Sequence, residues 1–337
     1  MKYWKKIATG ILSLLLLLCL CSCGGTTARS NAAVAETTAV VTQEIAATQA
    51  PVATQMPTQA PVSPVPAATE AATAEPEATA EEDIVLLQPT CMDAPYDYQY
   101  VDMDKQIVIR RFQENGITYF IADVQLTNVL QFQTALSSDQ PSGRLETISE
   151  MARRNGAVLA INADDYGVHK YGTIIRNGEL IRTHDTTRNM LIVDANGDFS
   201  VRVNRKNEKP KQFGDQLMAQ NVWQTFEFGP ELIRDGKAVT FSKDFDVIST
   251  SASRREPRTA IGQIGPLHYV IIVADGRQDG YSKGMTLGEL QDLFISCGVQ
   301  TAMNLDGGGS TEMWFNGMVI NQPAGGTERR LSDMLFF

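Results

Sequence analysis

Five Asn-Gly or Asp-Gly pairs, each set between two runs rich in β-branched and aromatic residues, constrain this chain more than any other feature. They are Asn115-Gly116 in QIVIRRFQENGITYFIADVQLT, Asn177-Gly178 in YGTIIRNGELIR, Asn196-Gly197 in MLIVDANGDFSVRV, Asp235-Gly236 in FGPELIRDGKAVT and Asn316-Gly317 in MWFNGMVIN. A two-residue hairpin turn needs positive φ at both central positions, and Asn, Asp and Gly reach it at least cost. The recurrence predicts an α+β fold: a mixed, largely antiparallel twisted β-sheet with many hairpins and a few packed helices.

Two helices interrupt this texture. SGRLETISEMARRNG places Leu145, Ile148, Met151 and Ala152 on one face and stops at Gly156. TLGELQDLFISCG opens on Thr286 and Glu289 as a capping box, carries Leu287, Leu290, Leu293, Phe294 and Cys297 at helical spacing, and stops at Gly298. Each runs directly into an apolar strand, AVLAINA and VQTAMNLD, that ends in a polar cluster. The first cluster is Asn162, Asp164, Asp165 and Tyr166; the second is Asn304, Asp306 and three glycines. Strand ends leaving a packed sheet are where rigid scaffolds present functional groups.

The start of the chain reads differently. Lys2, Lys5 and Lys6 precede an apolar stretch, Ile7 to Leu20, that falls short of the roughly 20 residues a bilayer core requires. It closes in Leu20-Cys21-Ser22-Cys23, which resembles a bacterial lipobox and predicts a lipoprotein signal over 1–23 with Cys23 lipidated. An extracytoplasmic, membrane-anchored lipoprotein is the expected location. Residues 24–83 are Ala, Thr, Pro and Glu with few large apolar side chains, too little to offset chain entropy, and predict a disordered tether. Residues 84–337 have globular composition and are enough for one large domain. In that exported part only Cys91 and Cys297 remain; one bridge is formally possible, but Cys297 falls at an apolar helix position and reads more simply as a buried core thiol. The net charge of −10 argues against nucleic-acid binding, which needs clustered Lys and Arg.

The stretch NLDGGGSTEM carries the strongest chemical signal. It lacks the lysine of a P-loop, the final glycine of a nucleophile elbow and the alternating carboxylates of an EF-hand. What remains is a cradle in which the N–H groups of Gly307, Gly308 and Gly309 converge on an anion, helped by the Ser310 and Thr311 hydroxyls. A second stretch, VADGRQDGYSKGMTLGEL, joins Asp275, Gly276 and Arg277 to Ser282 and a capped helix N-terminus that favours negative charge. A third, REPRTAIG, opens a strand on Arg258-Thr259.

In this order EPRTAIG, DGRQDGYSKGMTLGEL and MNLDGGGSTEM, with INADDYG, IIRNGELIR and FGPELIRDGK, resemble the phosphodiester glycosidase family, over roughly residues 100 to 337. The family includes the animal N-acetylglucosamine-1-phosphodiester alpha-N-acetylglucosaminidase. The resemblance implies a hydrolase that cleaves between an anomeric carbon and phosphate, on an envelope glycan or other carbohydrate phosphodiester. One place departs: where similar bacterial sequences usually have Asn-Gly-Asp-Tyr-Tyr or Asn-Gly-Gly-Phe-Phe, this chain has Asn162-Ala163-Asp164-Asp165-Tyr166, which bears on the pocket wall and on sugar specificity.

The reaction needs an anion site and a group to stabilise an oxocarbenium-like carbon. The expected phosphate ligands are Gly307 to Gly309, Ser310, Thr311, Arg258 and Arg277, with Thr259, Asp275, Gly276 and Ser282 beside them. Asp306 and Asp164 are the expected catalytic carboxylates, and Asn162 and Asn304 bond the sugar or orient a carboxylate. Asp306 also reads as a loop cap. No cofactor is required; a divalent cation such as calcium, held by Asn162, Asp164, Asp165, Asp275 and Asp306, is an alternative. A non-catalytic lipoprotein that binds envelope glycan or anionic polymer is the alternative function.

Overall fold

The computed structural model describes residues 92–203, 209–241 and 252–337. The expected signal with Cys23, the tether and residues 84–91 lie outside the described residues. The frame is an eight-stranded sheet in the order Tyr98–Val101, Lys105–Glu114, Ile117–Leu126, His268–Ala274, Arg258–Gly265, Thr301–Asn304, Glu231–Arg234, Lys237–Ala238. Every neighbouring pair in it is antiparallel. A five-stranded sheet follows the order Met318–Val319, Met313–Phe315, Leu159–Asn162, Asp333–Phe336, Gln133–Leu136, and sheets of three and two strands complete the β structure.

The large sheet is covered on both faces, which is why Ile117–Leu126 is buried at every position. On one face Ile107, Ile109, Phe120, Val124 and Ile271 pack against Leu159, Ile161, Leu191 and Phe226 of the smaller sheets. On the other, Val108, Ile121, Val270 and Ile272 meet Leu287, Leu290 and Phe294.

Among the described residues three α-helices serve this frame: α1 (Ile148–Asn155), α2 (Pro210–Ala219) and α3 (Leu287–Ser296). Helix α1 is opened by a Thr147/Glu150 capping box and closed by Gly156 at φ 64°. Leu145 lies before that cap and is exposed, so it is not part of the apolar face. Helix α3 has the expected Thr286/Glu289 box. Helix α2 was not legible as periodicity; its clear signal is Pro210 in the first turn. Cys297 is disulfide-bonded, which corrects the reading of it as a free core thiol; the sequence has no other cysteine among the described residues.

Four of the five predicted turns have positive φ at both residues, for example 53° and 72° at Asn115-Gly116 and 50° and 72° at Asp235-Gly236. At Asn196-Gly197 only the glycine does. There Asp194 Oδ1 accepts the N–H groups of Asn196 and Asp198 at 2.8 and 2.9 Å and builds a longer loop around itself.

Candidate active site

The two helix–strand units deliver their strand ends to one place from different sheets. Asn162, the last residue of Leu159–Asn162, donates from Nδ2 to the Asp306 carbonyl at 2.6 Å. Its Oδ1 accepts from Thr259 Oγ1 at 2.7 Å and from the Glu312 N–H at 3.2 Å. The Asp306 N–H returns to the Ala163 carbonyl at 3.2 Å. Asn162 and Thr259 are thus a buried cross-link among three segments: Asn162 serves the second of its two expected roles, orienting a carboxylate, and Thr259 stands in that cross-link and not in the lining of the adjacent cavity. What they fix is the position of Asp306.

Beside this junction opens a cavity of about 260 Å³. One half is cationic, lined by Arg254, Glu256, Arg258 and Arg277. Glu256 is buried and holds an arginine on each oxygen: Arg254 Nε on Oε1 at 2.6 Å and Arg277 Nε on Oε2 at 2.5 Å. Its own backbone is pinned by reciprocal bonds with Met285 at 3.3 and 2.9 Å. Gly276 and Gly284 permit this packing, since a Cβ on Gly276 would stand 2.9 Å from Pro257 N and one on Gly284 would stand 2.8 Å from Glu256 N. They are backbone spacers, not phosphate ligands.

Arg258 is the unusual member. It is 5% exposed, donates from Nε to the Met285 carbonyl at 3.1 Å and from Nη2 to the Arg254 carbonyl at 2.9 Å, and makes no ion pair among the described residues. It begins an interior strand of the large sheet, so it is not the solvated charge an edge position would give it. Burial pushes its guanidinium down to about 10; Glu256 opposes this and Arg277 and Arg254 add to it. Three guanidinium groups around one carboxylate leave this half strongly positive, a field suited to a phosphate.

The other half carries Asp306, Asp165, His169, Phe228 and Asn304, and Gly307 and Gly308 complete the lining. Asn304 is buried, with Nδ2 on the Gly229 and Leu305 carbonyls at 2.9 Å each, while its Oδ1 has no partner among the described residues. Burial pushes the Asp306 carboxyl up to about 6; the Ser310 hydroxyl opposes, the Asp165 charge adds, and the Gly307 N–H and Arg329 oppose. A carboxyl poised there changes charge close to neutral pH. Asp165, the residue standing where an aromatic was expected, is held by Arg188 and lies 3.2 Å from His169 Nε2.

The glycine run is built differently from the expected nest. The Gly307 N–H donates to Asp306 Oδ1 at 2.8 Å and the Gly308 N–H to the Pro257 carbonyl at 2.9 Å. Ser310 and Thr311 close a 3-10 turn onto the Gly307 and Gly308 carbonyls. The N–H groups of Gly307 and Gly308 are thus taken up by the protein itself and do not converge on an anion. The glycines instead make room: a Cβ on Gly307 would lie 2.8 Å from the Pro257 carbonyl oxygen, one on Gly308 3.0 Å from Arg277 Nη2, and one on Gly309 2.2 Å from Arg329 Nη2. Asp306 is both the cap of this loop and a wall of the cavity.

Other expected site residues lie elsewhere. Asp164 is buried away from the cavity, accepting from Arg176 Nη2 at 2.9 Å, from the Tyr166 N–H at 3.1 Å and from the Glu227 N–H at 3.0 Å. With Asp333, 2.8 Å from the same guanidinium, it forms an ion triad in the protein interior, a structural role that leaves no oxygen for catalysis. Asp275 accepts from Asn321, Tyr281 and the Gln322 N–H, and Ser282 Oγ bonds the Asp275 carbonyl and the Thr118 N–H. Ser310 and Thr311 are buried beside the loop and do not line the cavity, and neither does Gly309. The N–H groups at the start of α3 are capped by Thr286, and Glu289 pairs with Arg255, so that terminus is not an anion site. The donors proposed for calcium are dispersed over these partners, and no group of three or more His, Cys, Asp or Glu among the described residues is placed to hold a metal.

Arg254, Glu256, His169 and Phe228 were not singled out from sequence. The available sign was the charge density of SRREPRT just before a buried strand.

Comparison with known proteins agrees with this geometry. An uncharacterized protein derived from the SPbeta prophage of Bacillus subtilis (strain 168), YomE, is 32% identical over 225 residues, covering 63% of this chain and 33% of that protein. The chain thus spans about a third of the length of the curated relative it matches. The catalytic domain of zebrafish N-acetylglucosamine-1-phosphodiester alpha-N-acetylglucosaminidase, solved auto-inhibited by its pro-peptide, superposes with a TM-score of 0.53 at 18% identity, over 69% of this chain and 82% of that one, and shares the fold. The sequence profile of phosphodiester glycosidases matches residues 155–337, the segment that supplies every residue lining the cavity, and the chain belongs to the phosphodiester glycosidase family.

Proposed function

We propose that this cavity hydrolyses a sugar-1-phosphodiester, releasing the sugar and leaving the phosphate on the other partner. The observation that carries the reading is the juxtaposition of a buried arginine without an ion pair, Arg258, with the raised carboxyl of Asp306 in one cavity. The phosphodiester binds against Arg258, Arg254 and Arg277, whose forks match its oxygens. As the anomeric C–O bond breaks, negative charge grows on the phosphate and the arginines stabilise it more strongly. Phosphate is a weak base, so its departure needs no strong general acid. Asp306 acts as the carboxylate, toward the anomeric carbon or the attacking water, and Asn304 Oδ1 accepts from a sugar hydroxyl or N–H. The sugar lies against Phe228 and His169.

Incubating the purified protein with a uridine-diphospho-sugar in oxygen-18 water tests this. Label in the released sugar and none in the phosphate supports cleavage at the anomeric carbon, and Asp306→Ala abolishes release. Glycan binding without turnover in the wild type would replace the reading with that of a binding lipoprotein. The expected lipid anchor at Cys23, with an extracytoplasmic location and an envelope glycan as substrate, belongs to the same proposal. Metabolic labelling with a palmitate analogue, lost in Cys23→Ala, checks the anchor.

A further inference from the structure

We propose that Arg329, from the segment that follows the Met318–Val319 strand, is a positioning residue for Asp306: it fixes Ser310 in the turn that Asp306 caps, and Gly309 is glycine so that the Arg329 guanidinium can lie across the loop. The inference rests on the reading of Asp306 as the working carboxylate.

Arg329 Nη1 donates to Ser310 Oγ at 3.3 Å; Ser310 closes the turn that Asp306 caps, its N–H on the Gly307 carbonyl at 3.1 Å and the Gly307 N–H on Asp306 Oδ1 at 2.8 Å, and both the Ser310 hydroxyl and the Arg329 charge favour the carboxylate. With its oxygen accepting from a cation, the Ser310 hydroxyl keeps its hydrogen free to donate on the side of the loop that carries Asp306. The segment carrying Arg329 is tied to the start of α1 on both flanks. Glu328 Oε1 accepts the Ser149 N–H at 2.9 Å, Arg330 bonds the Leu145 carbonyl and Glu150 at 3.0 Å each, and the Leu331 N–H donates to the Glu146 carbonyl at 2.7 Å. An arginine between such anchors is ordered before substrate arrives, which is what positioning requires.

Gly309 supplies the independent observation. Its φ lies outside the left-handed region, so nothing in its backbone demands glycine. A Cβ there would nevertheless lie 2.2 Å from Nη2, 2.6 Å from Cζ and 3.2 Å from Nε of Arg329, and its three nearest neighbours are all this one guanidinium. The third glycine of the run is therefore explained by Arg329 alone. Gly309→Ala displaces the guanidinium while keeping the charge in the chain.

The test uses the full chain labelled with carbon-13 at aspartate carboxyls, with the Asp306 signal identified by its loss in Asp306→Asn. Arg329→Met and Gly309→Ala each move the Asp306 titration upward from about 6, by roughly half a pH unit or more. Arg329→Lys restores part of the shift, and the double variant Arg329→Met with Gly309→Ala moves it no further than Arg329→Met alone. With a sugar phosphodiester as substrate, the acidic limb of the kcat/KM profile moves with the titration. An unmoved titration in Arg329→Met, additive effects in the double variant, or a raised KM with an unmoved profile, the mark of a direct substrate contact, would each overturn the proposal. Failure of the proposed function is distinguishable, because no phosphodiester would be turned over at any pH while the carboxyl titration still reports on Arg329.

Discussion

Glu312→Gln should change how stability depends on pH. Glu312 follows the glycine loop, is 1% exposed, and its carboxyl is pushed up from 4.5 to about 9 by burial, by the hydrogen bond to Glu328 and by the Glu328 charge. Glu312 therefore holds its proton in the folded protein, while the unfolded chain releases it above pH 4.5. Between those limits the unfolded state binds fewer protons, so this residue lowers stability by about 1.4 kcal/mol for each pH unit gained. Glutamine has the same shape and does not titrate. Stability of the wild type minus that of Glu312→Gln should fall by about 4 kcal/mol between pH 5.5 and 8.5, or roughly 8–16 °C in relative Tm for a domain of this size. Guanidinium melts of both proteins across that range measure the difference, and the slope decides, since the second amide hydrogen adds a pH-independent offset. A difference that stays flat from pH 5.5 to 8.5 would refute the protonated carboxyl and the charge accounting around it.

Three further outcomes follow from the site. Asp306→Asn should lose about 10³-fold in kcat, and wild-type kcat/KM should fall as pH drops through about 6, because the working form is the carboxylate; a pH–rate profile checks both. Arg258→Met should raise KM and cut kcat/KM by about 10²-fold while leaving Tm unchanged or higher, since a buried cation without an ion pair is removed; steady-state kinetics beside calorimetry reads the split. Asp164→Ala should cost about 3–5 kcal/mol by stripping one of the two carboxylates that neutralise buried Arg176, and chemical denaturation measures it.

The fold was legible where local chemistry is decisive. Asn-Gly and Asp-Gly pairs choose turn type through φ alone, and Thr-x-x-Glu boxes start helices through bonds four residues long, so these features survive any tertiary context. Helix α2 lacks both a side-chain cap bond and a strong periodic stripe, and it was missed. The chain order of motifs also located the right segments: Asp306, Arg258, Arg277, Asn304, Gly307 and Gly308 all reach the cavity. Their roles were less legible, because two carboxylates can look alike in sequence and differ entirely in what surrounds them. Asp164 and Asp306 follow apolar strands in the same way, yet Arg176, twelve residues further on and in another sheet, captures one and leaves the other to the cavity. Nothing at sequence positions 162–166 encodes that choice.

The glycine triplet shows the same limit from the other side. Three consecutive glycines suggest backbone N–H groups opened toward a ligand, and the N–H groups of Gly307 and Gly308 are instead closed onto Asp306 and Pro257. What each glycine lacks is a Cβ, and three different neighbours occupy the vacated space: the Pro257 carbonyl, Arg277 and Arg329. Positive charge therefore reaches the loop through side chains that come from 277 and 329, while the loop itself presents the carboxylate of Asp306. Exchanging a nest for arginines has a chemical consequence. A nest is a fixed set of weak dipoles, whereas guanidinium groups carry full charge on flexible stems, so Glu256 is needed to hold Arg277 and Arg254 in place, and Ser310 holds Arg329 at the loop. The site's anion affinity should accordingly fall with rising salt more steeply than backbone dipoles would allow, because half-exposed charges are screened and buried Arg258 alone is shielded from it.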